Sequence, residues 1–231
     1  MAIVQDAGLS AAGDGQSLGR FTNHWFVGTL LAGKASAPQL RAFGVALAGL
    51  YDHLPRLFGP PVMTGPDYKI RRLVVDQLLT TVDLPDGTSV RVGEGGHAAL
   101  AQVLARAFGA SDTELEGAAY EPRLVAAADQ LVATMFEPPA WASMAAVAQS
   151  EFGVRADLSA LRDTLRDVYK VDASALAIFD APSLYPSSVR EGATDHLQTA
   201  FDAALFSYYQ DRIHGEWHEC WNRCFDAAAG A

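Results

Sequence analysis

Pro38-Gln39-Leu40-Arg41-Ala42-Phe43-Gly44-Val45-Ala46-Leu47-Ala48-Gly49-Leu50-Tyr51-Asp52-His53-Leu54-Pro55-Arg56-Leu57 is the stretch on which the fold turns. Leu40, Phe43, Leu47, Leu50, Leu54 and Leu57 recur at steps of three and four, the period of one helix face. Pro38 suits a first helical turn, where its missing N–H is no loss. Gly59-Pro60-Pro61 closes the segment. Outward from it, a second periodic stretch runs from Asp67 to about Val82 and stops at the turn signal Pro85-Asp86-Gly87. Residues 83–96 are rich in glycine and alternate through Thr88, Ser89, Val90, Arg91 and Val92, which predicts a small hairpin or an ordered loop between helices. Helical patterns resume at His97 to Phe108, Glu121 to Phe136, Pro139 to Phe152, Asp157 to Tyr169 and Asp172 to Phe179. The stretch from about Glu191 to Phe225 reads as one long helix weakened at Gly215.

The pattern predicts an all-α, single-domain bundle of about eight helices over residues 21–231, preceded by a mobile arm, Met1 to Arg20, rich in Gly, Ala, Ser and Asp. Composition agrees. Half of the 231 residues are hydrophobic and 19% are charged, with Ala and Leu abundant, which favours packed helices. The net charge of -10 comes from 27 acidic against 17 basic residues, and the basic ones are scattered, so no nucleic-acid footprint is visible. Met1 to Arg20 lacks the basic start and apolar core of a signal peptide. No apolar run approaches about 18 residues, the length of a membrane span. A cytoplasmic protein without a membrane or nucleic-acid partner is therefore expected. Cys220 and Cys224, four apart on one helix face, read as reduced buried thiols, because a regular helical turn supplies disulfide geometry poorly.

Three segments carry a likeness to a known family. The first is His24-Trp25-Phe26-Val27, then Gly33-Lys34, then the helix from Pro38-Gln39-Leu40 to Tyr51-Asp52-His53-Leu54. The second is Gly95-Gly96-His97-Ala98-Ala99-Leu100, followed by Ala107-Phe108-Gly109-Ala110-Ser111, and the third is Glu219-Cys220-Trp221. In this order they resemble the haem-oxygenase-like superfamily, which includes thiaminase II, the pyrroloquinoline-quinone synthases and the haem-oxygenase-like di-iron oxidases. The resemblance implies a helical bundle around a small-molecule pocket, a homodimer and, in the di-iron members, irons held by His and carboxylate ligands from facing helices. By that likeness His97 matches a ligand or acid-base His, Glu94 is its carboxylate partner, and Glu151 is the Glu of a later helix. The chain also departs from the pattern. Thr80 and Thr81 stand where a carboxylate is expected. Phe179-Asp180-Ala181-Pro182-Ser183-Leu184-Tyr185-Pro186 replaces a His-x-x-x-Asp-x-x-His helix, and its prolines oppose a continuous helix there.

Residue chemistry adds a second cluster. At about 100° per residue, Asp211, His214 and His218 fall within about 60° on one face of the last helix, flanked by Trp217 and Trp221. His at i and i+4 is a feasible metal pair with Asp211 as a third ligand or as orienter of an imidazole, although an amphipathic helix end explains the same residues. Tyr51, Tyr208, Trp217 and Trp221 suit the wall of a pocket that grips an aromatic or unsaturated substrate, as core packing also would. Glu151 sits among small and apolar neighbours, where burial would raise its pKa and fit it for proton transfer, while a solvent-facing carboxylate is the plainer alternative. His97 is equally readable as an N-terminal helix residue satisfied by backbone. Asp52-His53 invites a catalytic reading, but with Leu50 and Leu54 on the buried stripe it reads as placing one polar residue on the exposed side of its helix.

The resemblance implies a small-molecule tailoring enzyme that performs an oxygen-dependent oxidation with iron. His97 and Glu151 would be its catalytic residues and ligands, joined by Glu94 or by His214 and His218. The lost ligand positions keep two alternatives open. One is a metal-independent enzyme of the same fold in which His97 or Glu151 is the acid-base group of a cyclisation, elimination or hydrolysis. The other is a non-catalytic small-molecule-binding protein.

Overall fold

Ser36 starts the central helix. In the computed structural model, which describes residues 21–66, 68–81, 96–185, 188–189 and 200–231, its hydroxyl accepts the Gln39 N–H and the Gln39 side chain accepts the Ser36 N–H at 2.9 Å. This reciprocal cap, with Pro38 in the first turn, satisfies amides that have no partner inside a helix. The helix it opens, α2 (Ala37–His53), buries Phe43, Leu47 and Leu50 on the face that the spacing predicts. Leu54 and Leu57 continue that face through a 3-10 turn, Leu54–Phe58.

Before α2 lies α1 (Trp25–Leu31), capped by His24, whose Nδ1 accepts the Phe26 N–H. After it come α3 (Gly59–Thr64), α4 (Tyr68–Thr81), α5 (Gly96–Ala107), α6 (Asp112–Ala118), α7 (Pro122–Met135), α8 (Ala140–Asp167), a 3-10 helix (Ala173–Asp180) and α9 (Ala200–Ala229). The described residues contain no strand, and the fold is the single all-α bundle of about eight helices that the periodicity predicts. None of the helices is long and apolar enough to cross a membrane among the described residues. The main core is a continuous cluster around α2, which packs against α5, α9, α6 and α7, and a small second cluster joins Ala142 and Ala145 of α8 to Phe206 of α9. Two glycines let α2 come close. A Cβ on Gly44 would stand 2.8 Å from Ala105 Cα, and one on Gly49 would stand 2.6 Å from the Ala118 carbonyl oxygen.

Several boundaries differ from the expectation. Pro139 to Phe152 and Asp157 to Tyr169 form one helix, α8, of 28 residues. Gly153 is exposed and nothing crowds it, so it weakens the helix without breaking it, and Val154, Leu161 and Leu165 carry the buried stripe through the join. Ala173–Asp180 is a 3-10 helix rather than an α-helix. It ends because Pro182 holds Ala181 in an extended conformation, φ -61° and ψ 147°. In α9 Gly215 faces solvent and the helix runs on unbroken. Met1 to Arg20, the 83–95 part of the expected hairpin and residues 190–199 lie outside the described residues.

Candidate active site

Four structural units wall one cavity of about 200 Å³: the end of α2, the start of α5, the middle of α8 and the second half of α9. The chain after the 3-10 helix closes it. Tyr51 and Leu54, His97, Glu151 with Val154, Arg155 and Leu158, the segment Ile178 to Leu184, and Trp217 with Trp221 form its lining.

His97 is the second residue of α5, directly after Gly96, whose φ of 49° makes the left-handed entry that glycine adopts without strain. Its ring is buried, and Nε2 lies 2.7 Å from the Pro182 carbonyl oxygen. A carbonyl only accepts, so Nε2 carries the hydrogen and donates it, which leaves Nδ1 as the acceptor nitrogen of the neutral ring. Tyr51 stacks on this imidazole, with centroids 6.1 Å apart and planes 16° apart, and fixes its tilt. Burial raises the Tyr51 phenol well above its usual range, with Glu151 and Cys224 adding to the shift, so Tyr51 is a neutral wall.

Glu151 projects from α8 with its carboxyl buried. Oε1 accepts the Leu184 N–H at 3.0 Å, and the Tyr185 amide beside the carboxyl favours its charged form. Oε2 is buried with no protein partner. Burial pushes the pKa from 4.5 up to about 8, against the pull of the two amides and Arg155. Glu151 is thus a carboxylic acid at neutral pH, with its proton on Oε2, since Oε1 is engaged as acceptor. Tyr185 anchors this wall from behind, where its hydroxyl donates to the Leu57 carbonyl at 3.1 Å.

Trp217 and Trp221 are both almost fully buried, and neither indole N–H has an acceptor in the protein. Arg155 donates to Ser183 Oγ at 2.9 Å on the cavity rim. The structure therefore brings His97, Glu151, Tyr51, Trp217 and Trp221 to one cavity. Tyr208 does not join them: it is 54% exposed and packs on Tyr209 and under Arg212 on the outer face of α9. Glu94 lies outside the described residues.

His214 and His218 pair with each other, centroids 4.2 Å apart, and line no part of this cavity. Ser150 Oγ donates to the Ala146 carbonyl at 2.8 Å and accepts from His214 Nδ1 at 3.2 Å. His214 falls to about 4 through burial first and His218 second. His218 is lowered by burial, against the opposing charge of Asp157. Both are neutral at pH 7, with Nε2 buried and unpartnered. Asp211 is exposed and does not orient them. Of Asp52-His53, Asp52 is the exposed residue and His53 is half-buried. Cys220 and Cys224 are free, buried thiols, and burial pushes Cys220 up to about 12.

Iron would need imidazole and carboxylate ligands from facing helices. His97 and Glu151 offer one of each to the cavity, but His97 Nε2 and Glu151 Oε1 already serve the protein backbone. Among the described residues no three of His, Cys, Asp and Glu gather where they could hold a metal ion. The described residues do not complete a di-iron ligand set.

Sequence reasoning missed Arg155, the Pro182 carbonyl and the Leu184 and Tyr185 amides. Arg155 carried a signal, four residues after Glu151 and so on its helix face. Backbone groups carried none. No protein-family model matches the chain, and a search of curated protein sequences finds no match.

Proposed function

We propose that this protein is a small-molecule enzyme that works by proton transfer in the cavity of His97 and Glu151. The observation that supports the reading best is Glu151 itself. It is a buried acid whose pKa of about 8 lies near neutral pH, with one oxygen held by the Leu184 amide and the other without a protein partner. Glu151 Oε2–H gives its proton to a substrate atom. His97, its tautomer set by the Pro182 carbonyl, takes a proton from another substrate atom at Nδ1, and after product leaves that proton passes through solvent to the Glu151 carboxylate, which restores both groups. Tyr51 and the two indoles hold the substrate and exclude water. Cyclisation, elimination and hydrolysis are the reaction types this pair serves, on the scaffold for which the haem-oxygenase-like resemblance is also a proposal. The test is conversion, or deuterium uptake from D2O, across a panel of cyclic acids and ketones after treatment with a chelator. Glu151→Gln should lose about a hundredfold or more. Full activity in that variant would overturn the reading.

Iron-dependent oxidation is the second reading, favoured by one observation: an imidazole and a carboxylate from different helices line the same cavity. Protein grown with added iron would then carry stoichiometric metal that a His97→Ala variant lacks, and oxygen uptake would depend on it.

A further inference from the structure

Three residues that line this cavity carry buried donors with no hydrogen-bond partner among the described residues. Trp217 Nε1–H and Trp221 Nε1–H are buried and meet no acceptor. A buried donor left unpaired is destabilising, so two on adjacent turns of one helix wall are an unfavourable arrangement unless a ligand supplies the acceptor. Glu151 Oε2–H adds a third donor. Arg155 brings the positive charge: among the described residues its guanidinium donates to the neutral Ser183 hydroxyl and forms no ion pair. The walls are aromatic faces, Tyr51 and Phe179 beside the two indoles. The volume of about 200 Å³ exceeds the roughly 150 Å³ that holds one benzene ring, and so suits one ring with a small substituent.

We infer that the cavity takes a monocyclic aromatic or heteroaromatic carboxylate, its oxygens gripped by the indole N–H groups of Trp217 and Trp221 and its charge met by Arg155. This rests on the cavity being the active site, and it names the substrate class for that site. Glu151 in its neutral form neither repels the anion nor competes for the donors. The ring lies among the aromatic walls.

Benzoate is the probe, and the four tryptophan indole N–H resonances of the 15N-labelled full chain are the readout, assigned with Trp217→Phe and Trp221→Phe. Benzoate should move the Trp217 and Trp221 signals downfield along one saturable curve and leave Trp25 and Trp141 in place. Toluene, which has the ring but no acceptor, should move neither downfield. Arg155→Gln should weaken benzoate about tenfold or more and leave benzaldehyde unchanged. Benzoate that shifts neither indole, toluene that binds as tightly, or an Arg155→Gln variant with unaltered benzoate affinity would each overturn the inference. Binding needs no turnover, so a chain that binds benzoate in this way but shows no Glu151-dependent conversion would refute the catalytic reading alone.

Discussion

His97 Nε2 lies 2.7 Å from the carbonyl oxygen of Pro182, a contact that spans 85 positions of sequence and ties the start of α5 to the wall of the cavity. The bond fixes the imidazole tautomer. It also supplies the donor for a carbonyl that Pro182 has placed outside any helix. His97→Phe should cost about 1–3 kcal/mol, since it leaves that carbonyl without its partner, and His97→Gln, whose amide can donate, should recover part of it. Urea denaturation of the three proteins reads the difference.

Glu151 makes stability depend on pH in a stated direction. Its folded pKa is raised from 4.5 to about 8 by burial, so the unfolded chain loses this proton first. The contribution is complete below pH 4.5, falls at about 1.4 kcal/mol per pH unit as pH rises toward 8, and levels off above it. Glu151→Gln removes the slope. The variant should be more stable than the natural chain at pH 8 by a few kcal/mol, with the gap closing toward pH 4.5, as read from urea midpoints.

The opposite sign holds for His214 and His218. Both pKa values are lowered by burial, His214 from 6.5 to about 4. Stability from these rings is therefore complete above pH 6.5 and is lost as pH falls toward 4. A His214→Gln chain should show a shallower acid unfolding curve over that window, followed by circular dichroism.

Two glycines should respond in opposite ways to one methyl group. A Cβ at Gly49 would stand 2.6 Å from the Ala118 carbonyl oxygen, and backbone cannot yield as a side-chain end can. Gly49→Ala should destabilise by about 1–3 kcal/mol. Gly215 has nothing within 4 Å and sits inside α9, so Gly215→Ala should stabilise by about 0.5–1 kcal/mol. Thermal unfolding distinguishes the two.

The helices were legible where one face repeats cleanly, as from Leu40 to Leu57. They were misread where a single exposed glycine sits between two apolar runs, because Gly153 weakens a helix that the packing of Val154 and Leu161 sustains. In the cavity, His97, Glu151, Tyr51, Trp217 and Trp221 were legible by residue type, since few other side chains can move protons or hold a ring. Tyr208 was misplaced, because aromatic character says nothing of which helix face it occupies, and here it lies on the outer side of α9. The Pro182 carbonyl and the Leu184 amide could not be read at all, because every residue has a backbone and only the tertiary fold selects which groups turn inward.

The state of Glu151 decides the proton-transfer reading most directly. A carbon-13 titration of the glutamate side-chain carboxyls, with Glu151 assigned by its disappearance in Glu151→Gln, follows its ionisation without need of a substrate. A midpoint near pH 8 is predicted from its burial. A midpoint near 4.5, the ordinary value, would contradict it.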